Sequence, residues 1–231
     1  MKLIFIHGSG GSKESFQYQT QFFNKAEAID LPGHPRGNFS SSIEGYVEWL
    51  HGYIHRMKYK DVVLAGHSLG AGITLLFALN YPEDLKGIIS IGGGARLRVH
   101  PMFLEVLEKA VSNPNEMPEF IDAGMELIDP ALKEILKRRA IENGPAVALN
   151  DMRACDNFDI MNRVNEIKVP TLAICGSMDQ MTPPKYSKYL VDKIPGASAV
   201  IIEGGTHLAF AEKPDEVNQV IEKFLKSLKN H

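Results

Sequence analysis

The stretch that most constrains the fold is Asp61-Val62-Val63-Leu64-Ala65-Gly66-His67-Ser68-Leu69-Gly70-Ala71-Gly72. A β-branched, apolar run leads into Gly66-His67-Ser68-Leu69-Gly70, and a helix-compatible run from Ile73 to Leu79 follows it. The order is strand, sharp turn, helix, with Ser68 at the apex. So tight a turn has no room for side chains two places either side of the serine, and Gly66 and Gly70 supply none. It raises a hydroxyl to the end of a sheet and sets the N–H of Leu69 at a helix start, facing any anion that develops there. The pentapeptide alone equally fits an ordinary glycine-rich connection, so the rest of the chain has to decide.

The 231 residues suit one or two domains, and 44% hydrophobic with 23% charged residues is ordinary for a globular protein. The 25 basic and 28 acidic residues leave a net charge of −3, which offers no footprint for nucleic acid and no polybasic membrane patch. Cys155 and Cys175 lie far apart without a C-x-x-C, so neither a disulfide framework nor a zinc knuckle is expected. Leu3 to Ile6 is too short for a signal-peptide core, and no apolar run approaches the length of about 18 residues that spans a membrane. The expectation is a soluble, cytoplasmic protein.

Before Ser68 the chain alternates. Lys2 to Ile6 reads as a buried strand and His7-Gly8-Ser9-Gly10-Gly11-Ser12 as a glycine-rich loop. Glu14 to Asn24 suits a helix, Ala26 to Asp30 a second strand, and Asp30-Leu31-Pro32-Gly33-His34-Pro35-Arg36-Gly37 a loop of breakers. Ser42 opens a helix with Val47, Leu50, Ile54 and Met57 on one stripe. The helix after Ser68 runs to about Asn80, and Gly87 to Ile91 is the fourth strand. This order predicts a mainly parallel, doubly wound α/β sheet.

From Ala95 to Asn165 the rhythm changes to helices: Met102 to Val111, Glu119 to Ile128, Ala131 to Ile141 and Val147 to Ala154, punctuated by Pro101, Pro114, Pro118, Pro130 and Pro145. The organisation expected is a core of residues 1–94 and 166–231 with a helical insertion at 95–165. Strands resume at Val169 to Cys175 and Ser198 to Ile202, with helices at Pro184 to Lys193 and Pro214 to Leu228.

Nucleophilic chemistry at Ser68 needs a base within reach and a group to orient that base, both at the carboxyl ends of strands. Gly176-Ser177-Met178-Asp179 follows one predicted strand and Glu203-Gly204-Gly205-Thr206-His207 the next. Ser68, Asp179 and His207 thus each end a separate strand, in the chain order of one known hydrolase fold. Asp179 also fits a plain turn aspartate and His207 a structural histidine. Asp151, Asp156 and Asp159 compete as acids but lie in the insertion, without strand-end placement.

On these motifs, with His7-Gly8, Asp30-Leu31-Pro32-Gly33-His34 and Pro183, the sequence resembles the α/β-hydrolase superfamily, particularly its small capped esterases. The resemblance covers about two thirds of the chain, the two core segments. It implies Ser68 as nucleophile, His207 as base, Asp179 as its orienter, and an oxyanion hole from the backbone N–H groups of Leu69 and Ser9. It implies that the insertion is a cap over the site. The chain opens at the strand the family counts as third, so a six-stranded, all-parallel sheet lacking the first hairpin is expected, with an exposed edge that a partner would cover. The Asp-x-Pro-Gly-His loop departs from the family at Pro35-Arg36.

Gly8-Ser9-Gly10-Gly11 resembles part of a dinucleotide fingerprint, but Lys13 stands where its third glycine is required. His51 and His55 are four apart on a helix yet lack the glutamate of H-E-x-x-H, and surface histidines are the simpler reading. His67 fills the variable place of the pentapeptide and is assigned no chemistry, while His34 and His100 read as loop residues. Met102, Phe103, Val106, Leu107 and Phe120 are candidates to line an acyl or alcohol pocket, although their spacing is that of any amphipathic helix.

The activity expected is cleavage of small to medium carboxylic esters, with no metal or organic cofactor, by a monomer or homodimer. A thioesterase, a carbon–carbon bond hydrolase or a lyase would use the same constellation. A triad-bearing ligand receptor with slow turnover and a silent interaction protein are rivals of another class. An aspartate would stand at Ser68 in a haloalkane dehalogenase.

Overall fold

The computed structural model describes residues 1–113 and 124–230. Its strands are β1 (Lys2–Ile6), β2 (Glu27–Ile29), β3 (Val62–His67), β4 (Leu85–Ile91), β5 (Thr171–Gly176) and β6 (Ser198–Ile202). They form one six-stranded sheet in the order β2-β1-β3-β4-β5-β6, every pair parallel. The fold expected from the sequence is the fold observed. The order reverses between β1 and β3, and the crevice at such a switch point is where open α/β sheets bind ligands.

The helices are α1 (Gln17–Phe22), α2 (Ile43–Arg56), α3 (Leu69–Asn80), α4 (Pro101–Ser112), α5 (Pro130–Asn143), α6 (Pro145–Asn157), α7 (Pro184–Lys193), α8 (Ala209–Glu212) and α9 (Pro214–Ser227). Proline is the first residue of α4, α5, α6, α7 and α9, where its missing N–H costs nothing. The predicted helix at Glu14 to Asn24 divides into a 3₁₀ turn, Lys13–Phe16, and α1. Ser42 caps α2 by accepting the Gly45 N–H at 3.2 Å. The first half of the helix expected over Glu119 to Ile128, with Phe120, lies outside the described residues, as do Pro114 and Pro118, while Gly124 to Ile128 is turn rather than helix.

Strand alternation sorts the core. Ile4, Ile6, Val62 and Leu64 face one side with Val47, Leu50 and Ile54 of α2, Ile73 and Phe77 of α3, and Leu190 of α7. Leu3, Phe5, Val63, Ala65 and Ile89 face the other side with Phe16 and with Val217 and Ile221 of α9. Each fully buried aliphatic side chain contributes about 1.5–3 kcal/mol, and truncation of Leu50 to alanine would cost about 2–5 kcal/mol. The segment between β4 and β5 is docked on this core rather than independent of it. Leu97, Ala154, Cys155, Phe158 and Ile160 join the first cluster, Leu132 and Leu136 the second. Its two ends are tied by the Ile160 N–H to the Ala95 carbonyl at 2.8 Å. Among the described residues, no helix is long and apolar enough to cross a membrane.

Candidate active site

Ser68 sits between β3 and α3 with φ 52° and ψ −112°, a conformation that a non-glycine residue holds only when its surroundings impose it. The Ser68 N–H donates to the Ile91 carbonyl at 3.0 Å, and its own carbonyl accepts the N–H groups of Ala71 and Gly72 at 2.9 and 3.1 Å. The glycines permit the turn for a reason the sequence shows only in part. A Cβ on Gly66 would run into the Gly70 carbonyl, and one on Gly70 into the Ile6 carbonyl of β1. Leu69 is the first residue of α3. Among the described residues, its N–H and that of Ser9 have no hydrogen-bond partner.

Asp179 follows β5 and His207 follows β6. Asp179 Oδ2 accepts from His207 Nδ1 at 2.9 Å and from the Thr182 hydroxyl at 2.9 Å. Asp179 Oδ1 accepts the N–H groups of Met181 and Thr182, each at 2.9 Å. The aspartate is therefore a turn residue and the histidine's partner at once, one oxygen for each duty. Burial pushes its carboxyl up. The hydrogen bond and charge of His207, with the two Thr182 donors, outweigh that and hold it below the usual carboxylate range. Because Nδ1 faces the carboxylate, Nε2 is left for the cavity. Ser68 and His207 line that cavity together without a direct hydrogen bond in this geometry. Contacts of this kind tighten when substrate binds.

His67, to which the sequence assigned no role, is fully buried beneath His207. Its Nε2–H donates to the His207 carbonyl at 3.0 Å, and the two ring centroids are 4.7 Å apart. Burial, reinforced by the neighbouring imidazole of His207, drives its pKa down to about 3. His67 is a neutral prop, and its place next to the serine in sequence is the signal that could have found it. His7 is buried as well, its pKa lowered to about 4 by desolvation and then by His34. Its Nε2 accepts the Leu31 N–H at 3.1 Å, so Nδ1 carries the proton and donates to the Gly8 carbonyl at 2.8 Å.

The loop after β1 is also gripped from the segment between β4 and β5. Asp151 of α6, wholly buried, accepts the Gly10 N–H at 2.9 Å and His34 Nε2 at 2.8 Å on Oδ2, and the Tyr46 hydroxyl at 2.7 Å on Oδ1. Asn143 of α5 donates to the carbonyls of Gly10 and Gly11 at 2.9 and 2.7 Å. Strand-end logic passed over Asp151 because its partners assemble only in the tertiary structure.

The cavity at Ser68 encloses about 270 Å³. Ser9, Ser12, Ser15, His67, Ser68 and His207 are the polar side chains of its lining, and Phe103, Leu136, Ala140, Ala148, Met152 and Phe210 are among its apolar walls. No Asp, Glu, Lys or Arg lines it among the described residues. Of the proposed pocket residues on α4, Phe103 faces this cavity. Met102, Val106 and Leu107 are not among its described lining residues. Met102 is 56% exposed, while Leu107 is buried with Ala110 against Ala148 and Leu149. The amphipathic face of α4 packs mainly on α6, so the helical phase marked burial, not pocket. His100 caps α4 by accepting the Met102 N–H at 3.3 Å. His51, His55 and Asp84 form a cluster whose ligand atoms lie within 4.8 Å of one another. It sits near the carboxyl end of α3, remote from Ser68.

Residues 3–220 match the alpha/beta hydrolase family, and the chain belongs to it. Protein ABHD8 of Homo sapiens is 26% identical over 239 residues, covering 96% of this chain and 54% of that protein. The chain thus spans about half the length of the ABHD8 relatives it matches. The (E)-2-((N-methylformamido)methylene)succinate hydrolase of Acinetobacter baylyi is 24% identical, covering 97% of this chain and 90% of the relative. A solved structure described as a thermophilic esterase superposes with a TM-score of 0.82 at 30% identity, covering 98% of this chain and 90% of that one.

Proposed function

We propose that the protein is a serine hydrolase that cleaves carboxylic esters of small to medium acyl chain through an acyl-enzyme on Ser68. The observation that carries this reading is that Ser68, the Asp179-held His207 and Ser9 with its unpartnered N–H line one cavity without a charged side chain among the described residues, with the unpartnered Leu69 N–H directly after Ser68 at the start of α3. The likeness to an esterase structure supports it.

In this mechanism His207 Nε2 takes the Ser68 proton as Oγ attacks the substrate carbonyl. Asp179 fixes the tautomer and stabilises the imidazolium. The N–H groups of Leu69 and Ser9 take the oxyanion, with Leu69 adding the positive end of the α3 dipole. His207 then returns its proton to the leaving alcohol. Water, deprotonated by the same imidazole, releases the acid and restores Ser68. The residue 95–165 insertion acts as a cap, since α4, α5 and α6 wall the cavity with Phe103, Leu136, Ala140, Ala148 and Met152. At about 270 Å³ the space is at the small end of ligand pockets and suits short to medium acyl groups.

Turnover of p-nitrophenyl butyrate by the wild-type protein, with near-complete loss in Ser68→Ala, is the expected result. Equal turnover by Ser68→Ala would overturn the reading.

A further inference from the structure

We propose that Asp151 and Asn143, both carried by the helical insertion, are positioning residues that set the Ser9 N–H in the oxyanion hole. This rests on the serine-hydrolase reading and extends it from the core to the insertion: the hole is complete only when the insertion is docked.

The peptide planes of the loop carry the argument. In the Gly8–Ser9 amide, the N–H is the Ser9 donor and the oxygen is that of Gly8. That oxygen accepts the Gly11 N–H at 3.1 Å and His7 Nδ1–H at 2.8 Å. In the Gly10–Gly11 amide, the N–H is the one that holds Gly8, and the oxygen accepts from Asn143 at 2.9 Å. A continuous relay therefore runs from the Asn143 side chain through two peptide groups to the Ser9 N–H. Each bond in such a chain fixes the next plane and strengthens the next donor.

Asp151 acts on the amide between these two. By taking the Gly10 N–H at 2.9 Å it commits that donor away from the cavity, while the neighbouring Ser9 N–H keeps no partner among the described residues. The same carboxylate oxygen is tied to His34 on the loop after β2, and the other oxygen to Tyr46 of α2. Its place is therefore set by the core although it belongs to the insertion. Gly10 itself has φ +62°, and a Cβ there would stand 3.1 Å from that of Ala148, one turn before Asp151. The loop has adopted a shape that only glycine takes readily, pressed directly against α6.

The test is steady-state kinetics of Asn143→Ala and Asp151→Asn, with inhibition by butylboronic acid, which forms a tetrahedral adduct on a nucleophilic serine. A donor displaced by a fraction of an ångström predicts kcat lower by about 10- to 100-fold. KM should change by less than about threefold, because the donor acts on the transition state. The boronate Ki should rise by the same factor as kcat/KM falls. Ile54→Val, a core change that touches neither loop nor cavity, should melt lower yet keep wild-type kcat and Ki. Folded variants of Asn143 and Asp151 that behave like Ile54→Val would overturn the proposal. Should Asp151→Asn fail to fold, having left a buried donor unpaired, Asn143→Ala decides alone. Turnover by Ser68→Ala would instead sink the hydrolase reading itself, a distinct outcome.

Discussion

Asp179 Oδ2 lies 2.9 Å from His207 Nδ1, while Oδ1 of the same carboxylate holds the N–H groups of Met181 and Thr182. The division separates orientation of the histidine from closure of the turn. Asp179→Asn can keep its amide oxygen toward Met181 and Thr182, so the turn should survive. Its NH₂ then faces Nδ1, which favours the tautomer with the proton on Nε2. The expected result is a folded protein with turnover lower by about 10⁴-fold. Circular dichroism and initial rates check both halves.

Ser9 tests the hole by its backbone. Ser9→Ala keeps the N–H and loses only the hydroxyl, which lies 3.6 Å from Cys155 Sγ, so turnover should stay within a few-fold of wild type. Ser9→Pro removes the N–H and should lower kcat by about 10²–10³-fold, equivalent to roughly 2.7–4 kcal/mol. The Gly10 N–H is committed to Asp151 and gives no substitute. A folded Ser9→Pro protein with more than about a tenth of wild-type kcat would place the second donor elsewhere.

Two buried histidines make stability depend on acid. The ordinary value of 6.5 is lowered to about 4 in His7 and about 3 in His67, both by desolvation first. Between those values and 6.5 the unfolded chain binds protons that the folded chain refuses, so stability rises with pH across that window and is lost as pH falls through it. Asp179, held below the carboxylate range, adds a loss in the same direction at lower pH. Urea unfolding of Ser68→Ala at pH 7, 5.5 and 4.5 should show a declining midpoint. In His67→Phe the decline should be shallower, although the variant starts from lower stability because the His207 carbonyl loses its donor.

The cavity predicts selectivity by size and charge. Neutral esters with acyl chains of about two to eight carbons should be preferred over long triglycerides and over acyl groups carrying a carboxylate. Ala140→Leu places extra atoms on the α5 wall and should shift the optimum toward shorter chains. A p-nitrophenyl ester series measures it. An unchanged chain-length profile would mean that the acyl group lies elsewhere.

Legibility in the sequence followed locality. Ser68, Asp179 and His207 each follow a strand, and the strands were visible as apolar runs, so order alone singled out the three as candidates. The all-parallel sheet followed from strand and helix alternation with short links. His67 was passed over because its partner, the His207 carbonyl, is 140 residues away. Asp151 was set aside because its three donors come from Gly10, His34 and Tyr46, on separate elements. Met102, Val106 and Leu107 show the limit of helical phase: periodicity tells which face is covered, not whether a neighbouring helix or a cavity covers it.

The central claim is that Ser68 is the nucleophile. The most direct measurement is labelling with an alkyl fluorophosphonate, with peptide mass spectrometry to locate the adduct and residual turnover followed in parallel. One adduct per chain, on Ser68, with activity lost in proportion, is the result this account predicts. An adduct on another serine, or full turnover after complete labelling of Ser68, would contradict it.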